Sequence, residues 1–165
     1  MHDTTEKALL TRVPDRLFIG GEWVVSSSSQ TLDVTDPSTG SIIATIADAS
    51  PADGLRALDA AVDAQRSWGK TAPRVRGELL RRAFDLLQAR KEEFALLMTL
   101  EMGKPLAEAR GEVAYGAEFL RWFSEEAVRI SGRFGDNPEG TGRMIVSQRP
   151  VGPCYLITPW NFPLA

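Results

Sequence analysis

The 165-residue sequence is nearly empty of the residues that build redox and metal chemistry: it has one cysteine, Cys154, and one histidine, His2. A single cysteine excludes an internal disulfide and a cysteine-based metal cluster, and an unpaired thiol fits a reducing compartment. The lone histidine lies in a polar amino-terminal stretch, where it is a poor base for a Ser-His-Asp triad and a poor start for a zinc site. No metal is expected. Long hydrophobic runs are missing as well: none approaches the ~18 residues of a membrane span. No apolar stretch of signal-peptide type follows Met1-His2-Asp3-Thr4-Thr5-Glu6-Lys7. Positive charge is not in excess, since 19 Lys and Arg face 22 Asp and Glu for a net charge of −3. The basic residues are scattered, which leaves no electrostatic footprint for nucleic acid. The expectation is a soluble cytoplasmic protein that uses neither nucleic acid nor membrane as a partner.

What remains is globular in character. The chain is 43% hydrophobic and 25% charged, close to ordinary soluble domains and long enough for a real core. The first segment reads as strands. Leu17-Phe18-Ile19 and Glu22-Trp23-Val24-Val25 flank Gly20-Gly21, a hairpin signal. Ser26 to Ser29 reads as a flexible loop tip. Thr31-Leu32-Asp33-Val34 and Ser41 to Ile46 are further strands around the turn Asp36-Pro37-Ser38-Thr39-Gly40.

The middle is helical. Ser50 is a good N-cap, Pro51 suits the first helical position, and Asp53 falls three residues after the cap. Leu55, Leu58 and Val62 form the inward stripe of a helix reaching Trp68-Gly69. The spacing predicts a second helix over 73–90, a third over 92–102 ending at Gly103-Lys104-Pro105, and a fourth from Pro105 to about Ser131. The fourth carries the stripe Leu106, Ala109, Val113, Ala117, Leu120, Phe123, Ala127 and Ile130. These stripes read as core packing. Glu101, Glu108 and Glu112 read as solvated or capping, with Lys104 as a surface partner for them.

The last third changes character. Gly132 to Gly142 is a loop by its glycine and proline content, Arg143 to Arg149 is strand-like, and Arg149-Pro150-Val151-Gly152-Pro153 is a connector. Cys154 to Thr158 is a short apolar run suited to a buried parallel strand, with Cys154 as a small buried hydrophobe. Such a strand needs parallel neighbours joined by crossovers, and none follow. The fold class expected is therefore α/β, truncated before most of its parallel sheet. Asn161, the polar residue of Pro159-Trp160-Asn161-Phe162-Pro163, is on its own merits either a turn residue bonding its own backbone or a side chain presented at a site.

Pro150-Val151-Gly152-Pro153 through Pro159-Trp160-Asn161-Phe162-Pro163 resembles the P-x-G-x…-P-W-N-F-P signature of NAD(P)-dependent aldehyde dehydrogenases. Phe18-Ile19-Gly20-Gly21-Glu22-Trp23, Asp36-Pro37-Ser38-Thr39-Gly40 and Glu101-Met102-Gly103-Lys104-Pro105 are similar to that family's motifs in order and spacing. Lys104 to Glu112, Phe119, Trp122-Phe123, Glu125-Glu126 and Gly140 to Val146 resemble its succinate-semialdehyde dehydrogenase branch. The resemblance implies an amino-terminal piece of a longer chain: residues 1–131 as part of the cofactor-binding domain, with its β-hairpins and helices, 132–150 as an oligomerisation strand segment, and 151–165 as the start of the dinucleotide-binding sheet.

It also implies a chemistry. In this family a cysteine thiolate attacks an aldehyde, hydride passes to NADP or NAD, and a glutamate assists hydrolysis of the thioester. By the motif match, Asn161 donates to the oxyanion, and Ile157, Thr158, Pro159 and Trp160 line the cofactor cleft. Strand ends of open α/β sheets are where ligands bind. The nucleophile, the base and the glycine-bearing cofactor motif lie downstream of Ala165, so Cys154 is not the nucleophile and this polypeptide alone is expected to be inactive. The implied partners are a small aldehyde and further copies of the chain in a homo-oligomer. Two other readings fit the residues less well: a non-catalytic nucleotide-binding or subunit-assembly module, and a purely structural helical domain.

Overall fold

The computed structural model describes residues 4–165. His2 lies outside the described residues. In chain order the elements are α1 (Thr4–Leu10), β1 (Leu17–Ile19), β2 (Glu22–Val24), β3 (Thr31–Thr35), β4 (Ile42–Ala47), α2 (Pro51–Trp68), α3 (Pro73–Ala89), α4 (Lys91–Met102), α5 (Leu106–Glu126), β5 (Arg133–Asp136) and β6 (Arg143–Val146). The strands form three separate antiparallel pairs, β1–β2, β3–β4 and β5–β6. This is the mixed helix and strand architecture expected, with no parallel pair among the described residues.

The hairpins follow their turn chemistry. Between β1 and β2, Gly20 and Gly21 both take positive φ, 64° and 90°, a geometry that matches strand twist and that only residues without a Cβ adopt freely. Trp23 pairs with Phe18 across the ladder, and their rings stand 5.0 Å apart.

The core sits between α3, α4 and α5. Ala95 and Met98 of α4 meet Ala109, Val113 and Ala117 of α5, with Leu87 of α3 closing the cluster. Small residues on α5 let the helices approach closely. At Gly77 of α3 an added Cβ would lie 2.7 Å from the Ser124 carbonyl oxygen. Removing Val113, which is fully buried, withdraws roughly 1.5–3 kcal/mol of hydrophobic stabilisation.

Several expectations are corrected. The polar start includes a helix, α1, whose Leu9 is buried; seven residues were too few for a convincing period. The expected loop over 132–142 contains β5, which pairs with β6. The fourth predicted helix ends at Glu126 rather than near Ser131. The α2 stripe is not core: Leu55, Leu58 and Val62 are exposed, because no element among the described residues covers that face.

The largest correction concerns Cys154 to Thr158. It forms no strand, and Tyr155, Leu156 and Ile157 are almost fully exposed. A strand exists only with a hydrogen-bonded neighbour, and no described segment offers one. Cys154 is accordingly exposed rather than buried. Ser26–Ser29 is also not a free loop tip, since Ser26 is buried against Asp53.

Candidate active site

The segment that carries Asn161 is held on α5 by groups contributed from the α4–α5 junction. Gly103 ends α4 in the left-handed conformation, φ 77°, and its amide bonds the Thr99 carbonyl at 2.9 Å. Pro105 then starts α5 from an extended conformation. This Gly-Lys-Pro turn places the Lys104 ammonium against α5, where it ion-pairs with Glu112 Oε2. Glu112 itself is buried, at 4% exposure, beside Val113 and Gly116.

From there the contacts reach the end of the chain. Lys104 Nζ donates to the Asn161 carbonyl oxygen at 2.8 Å, and the Leu164 amide donates to Glu112 Oε1 at 2.9 Å. Lys104 Nζ also lies 4.4 Å from the centre of the Phe162 ring, within the range of a cation–π contact. Leu164 packs against the helical core. Gly116 makes room for it: an added Cβ would meet Leu164 Cδ2 at 2.8 Å and the Leu164 carbonyl oxygen at 3.1 Å.

The structure brings together only part of the expected site. Asn161 lies in a turn with Trp160 and is exposed, its main chain tied down and its residue open to solvent. Ile157 and Trp160 are both 83% exposed, and Thr158 and Pro159 are exposed beside them. These four form an extended lip leading into the Asn161 turn. Cys154 contacts the Gly152 carbonyl at 3.7 Å and joins none of these groups. Among the described residues, no group of three or more His, Cys, Asp or Glu side chains could hold a metal ion, and no helix is long and apolar enough to cross a membrane.

Sequence reasoning named Glu112 and a Lys104 pairing but read Glu112 as solvated or capping and the pair as a surface one; the pair is present and its carboxylate is buried. A signal was present. Glu112 sits in the buried stripe Ala109, Val113, Gly116, Ala117 at helical spacing, where a carboxylate must find a cation and donors.

The model of the aldehyde dehydrogenase family matches residues 23–165. The chain belongs to the aldehyde dehydrogenase family. A relative, succinate-semialdehyde dehydrogenase of Paenarthrobacter nicotinovorans, is 69% identical over 124 residues, covering 75% of this chain and 28% of that protein. Glutarate-semialdehyde dehydrogenase of Pseudomonas putida is 44% identical over 148 residues, covering 90% of this chain and 31% of that protein. Among solved structures, a betaine aldehyde dehydrogenase double mutant from Staphylococcus aureus in complex with NAD+ superposes with a TM-score of 0.92 at 31% identity, over 97% of this chain and 32% of that one. This aldehyde dehydrogenase chain thus spans about a third of the length of these relatives.

Proposed function

We propose that this chain is the amino-terminal part of an enzyme that oxidises succinate semialdehyde to succinate with NADP or NAD. The observation that carries the reading is the 69% identity to a succinate-semialdehyde dehydrogenase over 124 residues. The similarity to a glutarate-semialdehyde dehydrogenase supports the same chemical class, a short aldehyde with a carboxylate at its far end.

Asn161 is the oxyanion donor in this reading. Its side-chain amide is an uncharged donor that can be in place before charge develops on the attacked carbonyl oxygen. Its main chain is tethered by Lys104 and its position is open, which suits a group that must meet substrate without collapsing onto the protein. Ile157, Thr158, Pro159 and Trp160 present a continuous exposed lip with one large apolar face. That composition fits the flat nicotinamide end of a dinucleotide, which when bound accepts the hydride. The aldehyde carbon, once bonded to the thiolate sulfur, would lose that hydride to leave a thioester, and water would then displace the sulfur to give the carboxylate. The thiolate and the carboxylate base belong to the part of the enzyme beyond these residues, and Cys154 has neither role. Residues 1–131 and 151–165 then belong to the cofactor-binding domain, and 132–150, with β5 and β6, to the oligomer contact of a soluble cytoplasmic enzyme.

The test uses the full-length enzyme. Asn161→Ala is expected to lower kcat by about 10²–10³ while the circular dichroism spectrum is unchanged. Succinate semialdehyde is expected to give the highest kcat/KM in a panel of aldehydes run with both cofactors. A wild-type kcat in Asn161→Ala removes the donor assignment, and preference for an aldehyde without a distal carboxylate removes the substrate. The 165-residue chain by itself is expected to form no NADPH from succinate semialdehyde and NADP.

A further inference from the structure

Lys104 and Glu112 hold the two ends of the Asn161 turn through one shared ion pair. Lys104 Nζ has three protons; it pairs with Glu112 Oε2 and donates to the Asn161 carbonyl oxygen at 2.8 Å. The other oxygen of the same carboxylate, Oε1, accepts the Leu164 amide at 2.9 Å. Both side chains are nearly out of solvent, at 11% and 2% exposure, where charge-assisted hydrogen bonds are strong and geometrically demanding. Phe162, between the two tethered residues, lies under the Lys104 ammonium. Gly116 lets the segment lie directly on α5. A turn pinned at 161 and 164 to a packed helix has little freedom, although Asn161 itself is exposed.

We infer that Lys104 and Glu112 are positioning residues for catalysis: their ion pair fixes the Asn161 turn so that the side-chain amide stands ready for the developing oxyanion. The inference rests on the Asn161 assignment made above. It adds two residues that act through the turn, by its main chain at Asn161 and Leu164 and by the Phe162 ring, rather than on the reacting atoms. A misplacement of about 1 Å in a catalytic group costs up to roughly 10²-fold in rate, so loosening the clamp is expected to be felt in kcat.

Lys104→Met alone strands a buried carboxylate and can unfold the chain. The informative variant is therefore Lys104→Met/Glu112→Leu, which removes both charges and the Leu164 acceptor while keeping similar volume. Two measurements are combined. In the 165-residue chain, hydrogen exchange at the Leu164 amide is expected to accelerate in the double variant, with helical amides of α4 and α5 unchanged. In the full-length enzyme, kcat is expected to fall roughly 10- to 100-fold with KM for the cofactor unchanged. The same double variant built on Asn161→Ala is expected to lose little more. Unchanged Leu164 exchange overturns the clamp. A wild-type kcat, or an equal fold-loss with and without Asn161, overturns its catalytic role, because the pair then acts elsewhere. If Asn161→Ala leaves kcat intact, the donor assignment fails and the catalytic half of the inference fails with it, while accelerated Leu164 exchange still supports the clamp itself.

Discussion

The Asp53 carboxylate at the start of α2 is bound by Ser27, 26 residues earlier in the chain: the Ser27 amide and hydroxyl donate to Asp53 Oδ2 at 3.1 and 3.0 Å. Ser50 adds its own amide and hydroxyl at 3.0 and 2.9 Å, and Ser26 its hydroxyl at 3.1 Å. One capping residue therefore ties the β2–β3 connection to the helix.

This network gives a pH dependence. The Ser50 amide above all, then the Ser27 amide and the two hydroxyls, hold the Asp53 carboxyl well below the ordinary aspartate range, against the opposing effect of burial. A carboxylate lowered by folding stabilises the native state above its unfolded pKa, and that contribution is lost as pH falls. Asp53→Asn is thus expected to lower Tm at neutral pH, with the gap from wild type shrinking on acidification below about pH 4. A gap constant across that range, measured by thermal unfolding, counts against the network.

Ser50→Ala removes the cap hydroxyl that accepts the Asp53 amide. It is expected to cost about 1 kcal/mol, read as a Tm lowered by about 2–4 °C. No change would mean that the Ser27 bonds suffice without the cap.

Gly77→Ala places a Cβ against the backbone of α5, 2.7 Å from the Ser124 oxygen. Backbone cannot yield as a side-chain tip does, so the expected loss is about 1–3 kcal/mol by denaturant unfolding. An unchanged midpoint would show that α3 and α5 slide apart freely.

Cys154 is exposed. In the 165-residue chain it is expected to react with a thiol reagent without unfolding, at a rate near that of the denatured chain. Strong protection would show that residues 154–158 bury themselves in a partner copy.

Trp68, Leu79, Phe123 and Ile130 line an open groove of about 580 Å³. Phe134, Ile145 and Val146 are exposed on the β5–β6 hairpin. Apolar surface of this kind drives association. Light scattering of the chain at high concentration is expected to give a mass above the 18.1 kDa of one copy; a sharp monomer peak would count against it.

Much of this was legible from local rules. The Gly20-Gly21 hairpin, the Ser50 cap and the four long helices follow from turn chemistry and periodicity, which act over a few residues. Burial was less legible. Leu55 of α2 and Val113 of α5 occupy equally good stripe positions, yet Leu55 is 64% exposed and Val113 fully buried, because α5 packs against both α3 and α4 while α2 meets no other helix along that stripe among the described residues.

By itself the sequence determined the first two hairpins, the four long helices, the aldehyde dehydrogenase motifs and the place of Asn161 in its turn, since each is a property of neighbouring residues. Only the tertiary structure decided that Glu112 is an internal carboxylate, that Lys104 reaches 57 residues along the chain to the Asn161 carbonyl, and that Cys154 to Thr158 is no strand. A buried charge finds its counter-charge, and a strand its neighbour, across distances in the chain that local patterns do not encode.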